Sequence, residues 1–312
     1  MPAADDVRAH LEDLLGPGVA VDGLRRLSGG ASRETWGFEA VRGDDRRRLI
    51  LQRDRPGATP RAGMAVQTRL LRAAAAAGVP VAGVVAEGEH SVVVEHVEGE
   101  TIARKILRDD EFVAARQVLV GQLGRALARV HTIPPADFPE LEHQDQVAQY
   151  REILDATGQP HPAFELGFRW LEANRPPGTP RTTVVHGDYR LGNVIVGEDG
   201  LRAVLDWEIT HLGDPMEDLG WLCVKSWRFG ARLPVAGLGG YDELVEAYGA
   251  EAGIAVDPDV VRWWETLGTL KWGIMCILQA GTHLSGALRS VELAAIGRRV
   301  CEVEHDLLLL LP

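Results

Sequence analysis

The stretch VVHGDYRLGNVIVGEDGLRAVLDWE, residues 184–208, decides how the chain reads. Two apolar runs, NVIV and LRAVL, flank Asp199-Gly200, a hairpin signal because a tight two-residue turn needs positive φ. Taking Asp199 and Gly200 as the central turn residues sets Asn193 directly opposite Asp206. Facing side chains on neighbouring strands have Cβ atoms about 5 Å apart. An amide oxygen and a carboxylate at that separation suit a shared hard divalent cation such as Mg²⁺. Asp188 sits five residues before Asn193, in a loop leaving the strand TVV, and so stands beside such a metal without joining the hairpin. Buried carboxylates are costly unless paired or metal-bound, which is the reason for reading these residues as one group. One carboxylate for a substrate proton and two oxygen ligands for a metal suit phosphoryl transfer, where positioning and charge neutralisation dominate. His186 reads as a brace that hydrogen bonds the loop backbone.

Working outward, the first hundred residues read as strands, turns and one helix. GLRRLSGGASRETWGFEAVRGDDRRRLILQRD holds β-prone runs separated by Gly-containing turns, and Pro56 and Pro60 end that strand region. AGMAVQTRLLRAAAAAG predicts a helix closing on Gly78, and VAGVVAEGEHSVVVEHVEGE returns to strand character. Beyond about Gly99 the pattern turns helical: DDEFVAARQVLVGQLGRALARVH, then helices over 142–156, 161–173, 215–228, 240–252, 258–281 and 286–310. The expected organisation is a small strand-rich part and a larger helical part with a cleft between them, a common place for ligands.

Composition narrows the partners. A formal charge of -12 argues against nucleic acid, which wants basic surface, and weakly favours a cationic substrate. Cys223, Cys276 and Cys301 are scattered, with no CxxC pair, so neither a disulfide framework nor a zinc site is expected. The start MPAADDVRAHLEDLLG is acidic and amphipathic, unlike a signal peptide, and LLLLLP is too short to span a bilayer. No membrane association and a cytoplasmic setting are expected.

The spacing Asp188-x-x-x-x-Asn193, followed by Asp206 at a strand end, matches a kinase catalytic loop and its metal-binding Asp. HGDYRLGN, VLDWEITHLGDPMEDLGWL and ALARVHTI resemble the aminoglycoside phosphotransferase and choline kinase family. The wider pattern is most similar to the phosphotransferase-like domains associated with acyl-CoA dehydrogenases. The resemblance implies an α+β, bilobal protein-kinase-like fold, with a small β-rich N-lobe over 1–97 and a larger helical C-lobe over 98–312. It implies Asp188 as catalytic base, Asn193 and Asp206 as Mg²⁺ ligands, and ATP or GTP as phosphoryl donor. Ser28, Gly29 and Gly30 would form the phosphate-covering loop. Glu95, His96 and Val97 would be the hinge whose backbone meets the adenine. Glu208 and Asp214 are the substrate-facing candidates, Asp214 being expected above all to brace the catalytic loop, and Asp218 is expected to cap or contact a loop.

One departure stands out. Where a kinase carries a strand Lys paired to a helix Glu, this chain reads LILQRD and AVQTRLLRA, so those positions fall on Gln52 or Arg53 and on Gln67. Two neutral amides would replace two charges, with Arg33 and Arg53 the nearest cations. The leading expectation is a phosphotransferase acting on a hydroxyl of a small molecule: a hydroxyacyl thioester, an amino-alcohol or an aminoglycoside-like compound. The alternative is a nucleotide-binding pseudokinase or scaffold.

Overall fold

The computed structural model describes residues 4–27, 33–54, 63–143, 145–177 and 181–311. It begins with α1 (Ala4–Leu15), β1 (Ala20–Leu27), β2 (Arg33–Arg42), β3 (Asp45–Asp54), α2 (Met64–Ala76), β4 (Val84–Gly88) and β5 (Ser91–Glu95). The five strands form one antiparallel sheet in the order β1-β2-β3-β5-β4. Alternation along β3 builds both faces. Leu49 and Leu51 join Trp36, Phe38 and Val93 against Val7 and Leu11 of α1. Ile50 turns the other way, toward Val92, Val94 and Met64 of α2. Past the end of α2, Gly78 takes φ 77°, the left-handed conformation expected of a helix-closing glycine.

The second part is mostly helical: α3 (Ala103–Arg108), α4 (Val113–Val130), α5 (Gln146–Thr157), α6 (Pro162–Ala173), then β6 (Thr183–Val185), β7 (Val194–Gly197), β8 (Gly200–Val204) and β9 (His211–Gly213). It continues with α7 (Met216–Cys223), α8 (Tyr241–Ala252), α9 (Pro258–Leu284), α10 (Val291–Ile296) and α11 (Arg299–Leu310). α4 buries Leu119, Leu123 and Leu127 in the larger core. α9 is buried over most of its circumference, because α5, α6, α7 and α11 all pack on it. Gly220 lets α7 lie on α9 at close range: a Cβ there would fall 2.5 Å from the Trp264 carbonyl carbon. Among the described residues no helix is long and apolar enough to cross a membrane.

The two parts are joined through a pinned connection. Glu100 N donates to Val196 O at 2.9 Å, and Val196 N donates back to Glu100 O at 3.0 Å, fastening the chain to β7. Gly99 takes φ 148°, and a Cβ there would stand 2.6 Å from Ile195 Cγ2.

Three expectations need correcting. The turn between β7 and β8 holds Glu198 and Asp199, because Gly197 pairs with Gly200, and a bulge between Ile195 and Val196 shifts the remaining register. Leu205, whose N donates to Asn193 O at 2.9 Å, therefore stands where Asp206 was expected, and Asp206 lies one residue beyond with φ 64°. The single helix expected over 286–310 is two, α10 and α11, parted at Gly297 and Arg298. Neither α3 nor the pairing of β6 with β9 was expected.

Candidate active site

The loop from His186 to Asn193 is held from below by one carboxylate. Asp218, on α7 and fully buried, accepts from His186 N at 2.8 Å, Gly187 N at 2.9 Å and His131 Nε2 at 3.1 Å. Burial pushes the Asp218 carboxyl up, but the hydrogen bond and field of His131 outweigh it and hold the group below its ordinary range. Gly187 has φ 83°, and a Cβ there would sit 2.9 Å from Ile209 O, so only glycine brings this loop against the segment after Asp206. His186 is a brace, as expected. Its Nδ1 accepts from Asp188 N at 3.3 Å and its Nε2 donates to Leu205 O at 2.9 Å. Burial depresses its pKa and keeps the ring neutral, which these two contacts require. Asp218 makes the expected loop contact, and the bracing expected of Asp214 falls to it as well. Asp214 Oδ1 accepts from Met216 N at 2.8 Å, an Asx-type turn leading into α7, whereas Asp218 does the bracing.

The Asp188 carboxylate is oriented from three sides. Oδ1 accepts from Trp221 Nε1 at 2.8 Å and Arg190 Nε at 3.0 Å, and Oδ2 accepts from Asn193 Nδ2 at 2.6 Å. Because Asn193 uses its amide nitrogen on Asp188, its Oδ1 remains an acceptor of metal-ligand type. Asp206 is half-buried, and its pKa is pushed up to about 6 by burial first, then by the negative charges of Glu208 and Asp188. Among the described residues no hydrogen-bond donor meets the Asp206 carboxylate, and Glu208 lies 3.6 Å from Arg33 Nη2. Concentrated carboxylates with one ionisation disfavoured form a site that a cation relieves. The hard oxygen donors of Asn193 and Asp206 fit Mg²⁺. Among the described residues no group of three His, Cys, Asp or Glu side chains forms a metal cage, so such an ion would need ligands from elsewhere.

Above this loop a cleft is lined by Gln52, Gln67, Arg33, Val92 and Val94 from the sheet side and by Val204, Leu205, Asp206 and Trp207 from the helical side. Strand alternation settles the choice left by LILQRD. Gln52 faces the cleft, and Arg53 instead pairs with buried Glu34, whose Oε2 lies 2.8 Å from both Nε and Nη2. Gln67 faces Gln52's side of the cleft, so both positions of the missing ion pair lie here. At the expected hinge, Glu95 N and His96 N donate to Gly83 O and Arg48 O. The Glu95 side chain meets Arg47 at 2.9 Å, and Val97 packs on the cluster of Val92 and Val94. Ser28, Gly29 and Gly30 lie outside the described residues.

Two features of the site escaped the sequence reading. Trp221 donates to Asp188; the spacing of Asp218 and Trp221, three apart on α7, would have put both on the face toward the loop. Beneath it, buried Lys271 lies 4.9 Å from the Trp221 ring and 3.1 Å from Glu217 Oε1, and Glu217 Oε2 meets His211 Nε2 at 3.0 Å. Burial alone would raise the Glu217 carboxyl, but Lys271 and His211 hold it down to about 2. Trp221, Trp227 and Trp272 form a chain of rings at 5.3 and 4.8 Å, and the Arg190 guanidinium lies 4.8 Å over Trp227.

Over 200 residues, 57% of this chain, the sequence is 29% identical to acyl-CoA dehydrogenase family member 10 of Mus musculus, of which the match spans 18%. Over 172 residues, 49% of this chain, it is 27% identical to streptomycin 3''-kinase of Streptomyces griseus, of which the match spans 60%. The fold is that of a spectinomycin phosphotransferase solved with ADP and spectinomycin, with a TM-score of 0.66 and 14% identity over 98% of each chain. The model of the phosphotransferase enzyme family matches residues 23–264, and the chain belongs to that family.

Proposed function

We propose that the protein is an ATP- and Mg²⁺-dependent phosphotransferase that moves the γ-phosphoryl group to a hydroxyl of a small molecule. The observation that carries this reading is the Asp188 carboxylate, oriented by Trp221, Arg190 and Asn193 and set beside Asp206. ADP in a neighbour of the same fold, and kinase activity in a relative's name, support ATP as donor.

Asp188 takes the proton of the acceptor hydroxyl as its oxygen attacks phosphorus. Trp221 and Asn193 keep the carboxylate aimed, which lowers the cost of reaching the reactive geometry. Asn193 Oδ1 and Asp206 would hold Mg²⁺, which when bound offsets the charge of the donor phosphates. Val92 and Val94 would supply an apolar wall for the base, and Gln52 and Arg33, which line the same cleft, would face the phosphates; the backbone near Val97 would donate to the base. In this reading residues 1–97 roof the nucleotide and residues 98–312 supply base, metal ligands and acceptor pocket.

Replacing Asp188 with Ala should leave ATP binding intact in calorimetry and cut phosphoryl transfer by about 10²–10⁴-fold. A variant that still turns over at the wild-type rate would sink the assignment. Gln52 and Gln67 at the cleft favour one second reading, a nucleotide-binding scaffold, for which ATP would bind and no phosphorylated product would form.

A further inference from the structure

Whole-chain charge and local charge disagree in one place. The protein carries a formal charge of -12. Yet a pocket of about 680 Å³ between α3, the turn at Lys225–Arg228 with its following loop, and α11 is lined by Arg104, Lys225, Arg228, Arg232, Arg299 and His305. Only two acids share it, Glu302 and Asp306, and both are engaged: Asp306 pairs with Lys225, and Glu302 lies 3.7 Å from Arg299. Arg228 is held by buried Glu265 at 2.5 Å. Among the described residues no carboxylate pairs with Arg104, Arg232 or His305. Two arginines therefore give the pocket uncompensated positive charge on a chain that is otherwise acidic.

The pocket is linked to the base through Trp227. Ser226 and Arg228, which line it, flank Trp227 in the chain, and the Arg190 guanidinium, whose Nε is 3.0 Å from Asp188 Oδ1, lies 4.8 Å over that indole. Arg104 stands in the first turn of α3, just past the connection between the two parts of the molecule.

We propose that this pocket binds the anionic portion, a phosphate ester or clustered carboxylates, of the hydroxyl-bearing acceptor. The proposal rests on the reading of Asp188 as base. Guanidinium groups match phosphate and carboxylate oxygens in pairs, whereas a polycationic acceptor would meet like charge here. The local field thus reverses the preference for cations that the whole-chain charge suggests.

Calorimetry at low salt, with Mg²⁺ and a non-hydrolysable ATP analogue filling the cleft, tests it. Glucose 6-phosphate and glycerol 3-phosphate should bind, and glucose, glycerol and kanamycin should not. The double charge reversal Arg104→Glu with Arg232→Glu should weaken the phosphate esters at least about tenfold while leaving the ATP analogue's affinity unchanged. Both side chains are exposed, so the fold is not at stake. No ester binding, equal ester affinity in both proteins, or a preference for kanamycin overturns the proposal. Inorganic pyrophosphate binding as tightly as the esters, with all three indifferent to Asp188→Ala, marks a free-anion site and overturns the acceptor assignment. If the ATP analogue fails to bind while the esters do, the phosphotransferase reading falls and the anion pocket stands.

Discussion

At the scale of single residues, Asp206 shows how a candidate site is destabilised by its own charge. Its native pKa, about 6, lies above the unfolded value, so the folded state prefers the protonated carboxyl. That preference is fully present below about pH 4 and is lost as pH rises through 6. Above that, the ionised group costs on the order of 3 kcal/mol relative to an unperturbed aspartate. Asp206→Asn should therefore be the more stable protein at pH 7.5 without Mg²⁺, by up to about 3 kcal/mol. Urea unfolding at pH 7.5 and pH 4 checks this, with the difference expected to close at the lower pH; equal stability at both would refute it. Much of this residue scale was legible. The order Asp188, Asn193, Asp206 and the bracing role of His186 could be read from the motif. That the bracing falls to Asp218 rather than Asp214 could not, because which carboxylate reaches under the loop depends on how α7 is rotated. The contribution of Lys271 was likewise hidden, since it comes from α9, a helix more than fifty positions away in the chain.

At the scale of elements, the misread hairpin shows what pattern alone leaves open. Asp-Gly signals a tight turn, but a single bulge at Ile195–Val196 changes which residues face each other, and nothing in an apolar run marks a bulge. Helices fared better where they were long and evenly patterned, as in α4 and α9, and worse for α3, whose six residues are too few to show a period. The packing of α7 on α9 carries its own prediction. Gly220→Ala would drive a methyl group into the Trp264 and Glu265 backbone, a wall that cannot turn aside as a side chain can. About 1–3 kcal/mol should be lost, read as a lower urea midpoint. Because Asp218 and Trp221 flank Gly220 on the same helix, turnover should fall even in the fraction that stays folded. A variant as stable and active as the wild type would show that the helices can separate without cost.

At the scale of the whole molecule, the cleft joins residues more than a hundred positions apart, with Gln52 and Gln67 on one wall and Asp206 on the other. Installing Gln52→Lys together with Gln67→Glu would return a paired cation to the nucleotide wall. The double variant should bind ATP more tightly, by about tenfold, as one added charge-assisted contact allows. Gln52→Lys alone should gain less, since without a Glu at position 67 its ammonium would be drawn toward Asp206 across the cleft rather than held for the phosphates. Equal ATP affinity across wild type, single and double variants would place the nucleotide elsewhere. The backbone clamp between Glu100 and Val196 has a mechanical meaning at this scale. A free linker would let the sheet swing about the connection alone. With Gly99 against Ile195, the connection is fastened to the β7–β8 hairpin, so a displacement of the sheet would be felt by the strand that begins right after Asn193. Lengthening the connection at Glu98 would uncouple roof from floor, whereas a bulkier residue at Gly99 would jam the joint.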